Sequence, residues 1–326
     1  MRSIMLAALL VPMSLVACGG GSSGDDTQPV PTGTHTHFVV NTVSVPTTNN
    51  EATEFGLDIG ASKTSKPDGA VDNQLGHVLA ALKGQGFDVK TTLDKAVNEG
   101  SIILLADFQA TSLTSASAAG LQVLLGANPS PAPCAGSADT TCGHHLDGTG
   151  MFSIAADSPT DALVSGPIVN GTFTGGPGTI ELQLALGGTT PVNLSLQNAR
   201  AKATGISDTG ITSLIIGGAL SKSDLDTQVI PAIVAQLGPI ITRDCSTTTP
   251  PDCGCMDGST GKTILGLFDN APQDCMVTND EVLNNTLIKS LLAPDVCTMA
   301  SCAAPDALSL GIKVTAVKGT YTVAGE

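Results

Sequence analysis

The residues whose spacing suits chemistry are mainly carboxylates, and the chemistry they suggest is calcium binding. Laid on a twelve-residue calcium loop, Asn270 takes the first position, Asp274 the fifth, Val277 the eighth and Glu281 the twelfth, with a helix following. Pro272 stands where the third ligand belongs, and Cys275 replaces the glycine of the sharp turn. A capped helix start, with Asp280 or Glu281 facing the N-terminal dipole, is the plainer reading. Asp58, Asp68 and Asp72, with Asn73, form a second, looser acidic segment before a helix. Only six of the 29 acids are Glu, and Asp favours turns and caps, so turn chemistry competes with calcium at both segments.

Imidazoles come next. His144 and His145 follow Cys142 with Asp147 nearby, a set chemically suited to zinc. Adjacent histidines hold one ion poorly, and the loop's cysteines read as oxidised. His35 and His37 share one face of a strand, where surface placement is the simpler expectation, and His77 reads as a helix-face residue. Three catalytic look-alikes lack their context. Gly20-Gly21-Ser22-Ser23-Gly24 lies in a linker rather than between strand and helix. Gly261-Lys262-Thr263 lacks the first glycine of a phosphate loop, which is Met256 here. Ser259-Thr260-Gly261-Lys262 has no partner motif, and Cys253-Gly254-Cys255 is not the redox Cys-x-x-Cys. With no convergent acid, base and nucleophile, the expectation is a non-enzymatic protein.

The N-terminus sets the compartment. Arg2, an apolar run over Ile4–Val11 and small residues thereafter read as a secretory signal, too short to span a bilayer. Leu15-Val16-Ala17-Cys18 resembles the lipobox of bacterial lipoproteins. The resemblance implies cleavage after residue 17 and acylation of Cys18, a palmitate-type anchor in the membrane. Gly19 rather than Asp after the cysteine implies the outer membrane, with the folded part periplasmic or surface-exposed. Residues 1–17 are then signal peptide, 18–33 the lipidated cysteine and a flexible linker, and 34–326 an extracytoplasmic domain. A change of character near 205–245 marks where two subdomains would divide.

A formal charge of -15, from 14 basic and 29 acidic residues, excludes a nucleic-acid face. No Trp and one Tyr disfavour sugar-stacking platforms. Eight cysteines remain beside Cys18, and in an exported chain an even set reads as disulfides. Cys134 with Cys142 and Cys297 with Cys302 are local pairs; Cys245, Cys253, Cys255 and Cys275 make two more bridges of open connectivity.

The elements that must position these groups alternate between strands and helices. Strands are expected over 34–45, 101–108, 151–155, 168–174 and 180–186, then over 192–203 with a one-residue phase change between Leu196 and Ala199 that implies a bulge. Helices are expected over 72–82, capped by Asp72 or Asn73, and over 91–98, 223–237 and 280–292. Residues 243–271 read as irregular, and a closing amphipathic strand runs through Leu308–Ala316. The class is α+β: a β-rich sandwich or partly closed barrel with several packed helices, stapled by disulfides.

The segments Asp68–Gly76, Asp274–Val282 and Asp306–Ile312 resemble those of uncharacterised lipoproteins of myxobacteria and their relatives, which carry Asp/Gly-rich loops before these elements. That resemblance implies an envelope lipoprotein and no known activity. The expected function is a membrane-anchored binding or structural module with an envelope protein, glycan or lipid as partner. The alternatives are a carrier whose sheet and helices enclose a hydrophobic ligand, and a calcium-dependent adhesion module.

Overall fold

The computed structural model describes residues 28–60, 68–84, 89–186, 191–299 and 301–323. Eight antiparallel strands close into a barrel: β1 (Thr34–Ser44), β2 (Leu104–Ala110), β3 (Ala116–Ser130), β5 (Leu163–Val169), β6 (Thr172–Leu184), β7 (Val192–Ser207), β8 (Gly210–Ser221) and β9 (Ala307–Lys318). Each pairs with its neighbour in sequence. β9 completes the ring by pairing with both β8 and β1, so the fold is an up-and-down barrel. The short β4 (Met151–Ile154) adds to the outer half of β3.

Closure follows from two-residue alternation. Leu308, Leu310, Ile312, Val314 and Ala316 of β9 are all buried, as are Ile180, Leu182 and Leu184 of β6. The phase change on β7 is a bulge: register slips between Gln197 and Arg200, and Asn198 adopts a left-handed φ of 49°. The lumen is filled. Phe108 of β2 and Phe173 of β6, on strands that are not neighbours, meet edge to face across the interior at 4.9 Å. A closed barrel of this size has room for side chains or for one small ligand, and here side chains take the space.

Among the described residues the α-helices sit between β1 and β2 or between β8 and β9, which brings them to one end of the barrel, while a single 3-10 turn over His144–Leu146 precedes β4. The first group is α1 (Asn49–Glu54), α2 (Gln74–Gly84) and α3 (Val89–Asn98). The second opens with α4 (Lys222–Asp224), a π turn over Leu225–Val229 and α5 (Ile230–Asp244), one continuous 23-residue helix. α6 (Thr260–Phe268), α7 (Asn279–Asn284) and α8 (Thr286–Leu291) follow. At the barrel mouth Leu75 and Leu79 of α2, with Val229 and Ile233 of the long helix, meet Leu184 and Leu310 around a gap of ≈ 10 Å³. That is the limit for one water, so the mouth is sealed.

Asn73 locks this cap to the barrel. It is buried, and its amide makes four hydrogen bonds. Nδ2 donates to the carbonyls of Ala52 (2.9 Å) and Gly311 (3.1 Å), and Oδ1 accepts from the N–H groups of Gly76 (3.0 Å) and Gly311 (2.8 Å). The α2 cap is therefore Asn73 rather than Asp72, and the same side chain joins α1, α2 and β9. Each buried group left unpaired by its loss would cost about 1–3 kcal/mol.

Several expected boundaries move. The division near 205–245 falls where the chain leaves β8 for the helices, and β9 returns it to the same barrel, so both parts share one core. The expected strand 168–174 is a hairpin whose turn is Asn170-Gly171, both residues at positive φ. The irregular stretch 243–271 contains α6. The helix expected over 280–292 breaks at Asn285, which caps α8. Within the stretch expected as linker, Gln28 contacts the barrel: its Oε1 accepts from the Ser165 N–H (2.7 Å) and its Nε2 donates to the Pro177 carbonyl. The four disulfides are Cys134–Cys142, Cys245–Cys255, Cys253–Cys275 and Cys297–Cys302, all outside the barrel strands.

Candidate functional site

An open, mainly apolar concavity lies where β8 and β9 meet the α7–α8 corner. β8 contributes Leu220 and β9 Leu308, the long helix Leu225, and the corner Leu283, Ile288 and Leu292. The groove measures ≈ 290 Å³. Its floor is apolar because Leu220 and Leu308 are an opposed strand pair at the point where the chain leaves the sheet. Two lysines stand at the rim. Lys222 pairs with Asp226 one turn along its helix, and Lys289 Nζ donates to Asn284 Oδ1 at 3.2 Å. Asp306, also at the rim, accepts from the Thr298 N–H (2.7 Å) and hydroxyl (2.9 Å).

The acidic segments direct their carboxylates into their own loops. Asp58 accepts from the N–H groups of Asp68 (3.0 Å) and Gly69 (2.6 Å), and Asp68 from that of Ala70 (2.9 Å). Asp72 accepts from Ile59 (2.8 Å) and Gly60 (3.2 Å). Burial raises the pKa of Asp72 above the ordinary carboxylate value, and it raises that of Asp295, which accepts from Ser309, in the same way. In the second segment both Glu281 oxygens are engaged: one accepts from the Asn270 N–H (3.0 Å), the other closes a capping box with Thr278. Asn270 Nδ2 donates to the Phe268 carbonyl, and Asp274 accepts from the Met276 N–H. Asn270 and Glu281 thus meet through a backbone amide, not as two converging ligands. Cys275 sits at positive φ and is bridged to Cys253.

The His144–His145–Asp147 set is pulled apart. His144 Nε2 pairs with Asp139 at 2.9 Å, and Asp139, which also accepts from Ala135 and Thr141, is held far below the usual carboxylate range. Asp147 accepts from Thr149. His145 turns inward, fully buried beside Phe152, and burial with neighbouring His144 lowers its pKa. His77 meets Asn49 at 3.2 Å on the surface of α2.

On the outer wall of the barrel the structure joins a group that sequence reasoning left incomplete. Asp107 lies directly opposite His37 on the β1–β2 ladder, with His35 two residues away. The apolar run 101–108 reads as a buried strand, which hid Asp107. The available signal was an acid at an outward position of that run, since Leu104, Ala106 and Phe108 face the lumen.

The catalytic look-alikes resolve as structure. Ser259 is the N-cap of α6 and accepts from the Lys262 N–H, while Lys262 Nζ reaches Asp257 at 2.6 Å. Cys253 and Cys255 are bridged to different partners. Cys18 and Gly20–Gly24 lie outside the described residues. No protein-family model, no curated protein and no solved structure matches the chain.

Proposed function

We propose that the protein is a lipid-anchored module of the bacterial envelope, held in the outer membrane through Cys18, that binds an amphiphile with an apolar chain and an anionic head. The observation that carries this reading is the groove of ≈ 290 Å³ with a leucine and isoleucine floor, where Asp226 engages Lys222 and Thr298 engages Asp306, while Lys289, hydrogen-bonded to the neutral Asn284, offers its charge to an anionic head. Sites for small ligands share this character: apolar walls with a few placed polar groups. The packed lumen moves the ligand to the outside of the barrel, unlike a carrier that encloses its cargo between sheet and helices. The described residues lining the groove offer no hydroxyl, thiol or imidazole, which favours binding over catalysis.

The test is titration of full-length protein, reconstituted in nanodiscs, with a fluorescent fatty-acid probe against empty discs. Ala293 is exposed at the rim, so Ala293→Trp fills the groove without entering the core. Saturable binding weakened at least tenfold by Ala293→Trp, and reduced by Lys289→Glu, is expected. Binding equal to that of empty discs, or unchanged in Ala293→Trp, defeats the proposal.

A further inference from the structure

Alternation along β1 places His35, His37 and Val39 on the outer face of the barrel, because Phe38 and Val40 fill the lumen. β2 runs antiparallel beside it with Asp107 opposite His37. The Asp107 carboxylate is almost fully buried, at 4% exposure, and its two oxygens face different rings. Oδ2 lies 2.8 Å from His35 Nδ1, and Oδ1 lies 3.6 Å from His37 Nε2. The three candidate ligand atoms fall within 4.8 Å of one another.

We propose that His35, His37 and Asp107 form a binding site for a divalent transition-metal ion of the zinc type. Zinc takes imidazole nitrogen and carboxylate oxygen at about 2.0–2.2 Å, which sets the ligand-to-ligand edge of a tetrahedral site at about 3.3 Å. The two measured separations run to different oxygens of Asp107 and bracket that edge, and with all three ligand atoms within 4.8 Å of one another, rotation of the carboxylate and rings is the movement that closes the site. A surface His–Asp hydrogen bond accounts for His35. A second imidazole beside the same buried carboxylate brings three ligating side chains within reach of one ion. Two nitrogens and one oxygen suit zinc and its neighbours and not calcium, which takes six to eight oxygens. The histidines remain 27% and 18% exposed, leaving a solvent side for the fourth ligand.

The surroundings orient the ligands. Tyr321 stacks on the His37 ring at 4.4 Å with 30° between planes, and the Gly319 N–H donates to the His37 carbonyl at 3.1 Å. The C-terminal arm thus fixes the rotation of one imidazole, as outer-shell partners do in metal sites. Asp107 is fixed by the β2 ladder on both sides, to β1 and to Gln122 of β3. The site stands on two paired strands, shares no residue with the acidic loops or the groove, and does not depend on the proposed ligand.

The experiment uses untagged full-length protein in detergent, stripped with chelator and titrated with zinc by calorimetry, then with cobalt for visible absorption. One ion per chain is expected, with a cobalt spectrum of four-coordinate intensity. His35→Ala, His37→Ala and Asp107→Asn each weaken binding at least tenfold, while His144→Ala leaves it unchanged. Zinc-edge X-ray absorption on the wild-type protein, which needs no variant to fold, is expected to show two imidazoles in the first shell. Absence of stoichiometric binding, undiminished binding in a His35→Ala/His37→Ala protein, or a zinc shell without imidazole overturns the proposal.

Discussion

Both ring nitrogens of His145 lack a hydrogen-bond partner among the described residues, and the ring is fully buried. An imidazole in that setting is stable only when neutral. In the unfolded chain it takes up a proton near its ordinary value of 6.5, whereas burial lowers the folded value. The unfolded state therefore binds more protons as pH falls below that value. The contribution to stability is complete above it and is lost on acidification until the folded pKa is passed, at most about 1.4 kcal/mol per pH unit. Urea denaturation at pH 7.5 and 5.5 should show a fall in the wild-type midpoint and a smaller fall in His145→Phe. Asp72 and Asp295, with raised folded pKa values, act with the opposite sign in the carboxylate range, because protonation relieves their burial. At this scale the sequence identified the reactive side chains but not their company. His35 and His37 were visible as a pair, and Asp107 reaches them only through a ladder joining residues 70 positions apart. The acids of the two candidate calcium loops were legible as cap and turn formers, and that is where their oxygens are directed.

At the level of elements, what could be read depended on how local the cause was. The α2 helix and its cap were legible because an Asn three residues before the Gly76 amide is a local signal. The β7 bulge was legible as a one-residue phase slip in the apolar pattern. The β5–β6 hairpin was not separated, since Ile168 and Phe173 are both apolar and seemed to belong to one run; the discriminating signal was the Asn-Gly pair between them. Asn170 and Gly171 have φ of 51° and 73°, the two positive values a type I′ turn requires. A Cβ added at Gly171 meets nothing within 4 Å, so Gly171→Ala tests conformation alone. A loss of roughly 1–2 kcal/mol is expected in thermal or urea denaturation, the cost of left-handed backbone for a residue with a Cβ. α6 was hidden because its turns are short and flanked by cysteines; its only local sign was Ser259 ahead of an amphipathic stretch.

Over the whole molecule, stabilisation divides into two systems. The barrel is joined by strand ladders and a lumen packed from all sides. The four disulfides instead bracket the loop before β4 and the connections around the cap helices. The bridges were legible as an even cysteine set in loops, with Cys134–Cys142 and Cys297–Cys302 readable as local pairs, but the pairing of Cys245 with Cys255 and Cys253 with Cys275 was not, because connectivity depends on where the chain returns. Each bridge contributes about 2–4 kcal/mol by restricting the unfolded chain. Reduction should therefore loosen residues 245–302 first. Hydrogen-exchange mass spectrometry of reduced protein should show faster exchange there while the barrel strands keep their protection.

The pairing of β1 with β9 also fixes an order of events in the life of the chain. Val43 has its partner at Val314, close to the opposite end of the polypeptide. A chain growing from its N-terminus can make the β2–β3 and β6–β7 hairpins on the way, yet its first strand keeps one edge open until β9 has arrived. Ring closure waits for β9, and long-range pairing of this kind is slow. Through that interval the open edge of β1 is where another chain could add, so the hazard to this protein is greatest just before the ring closes.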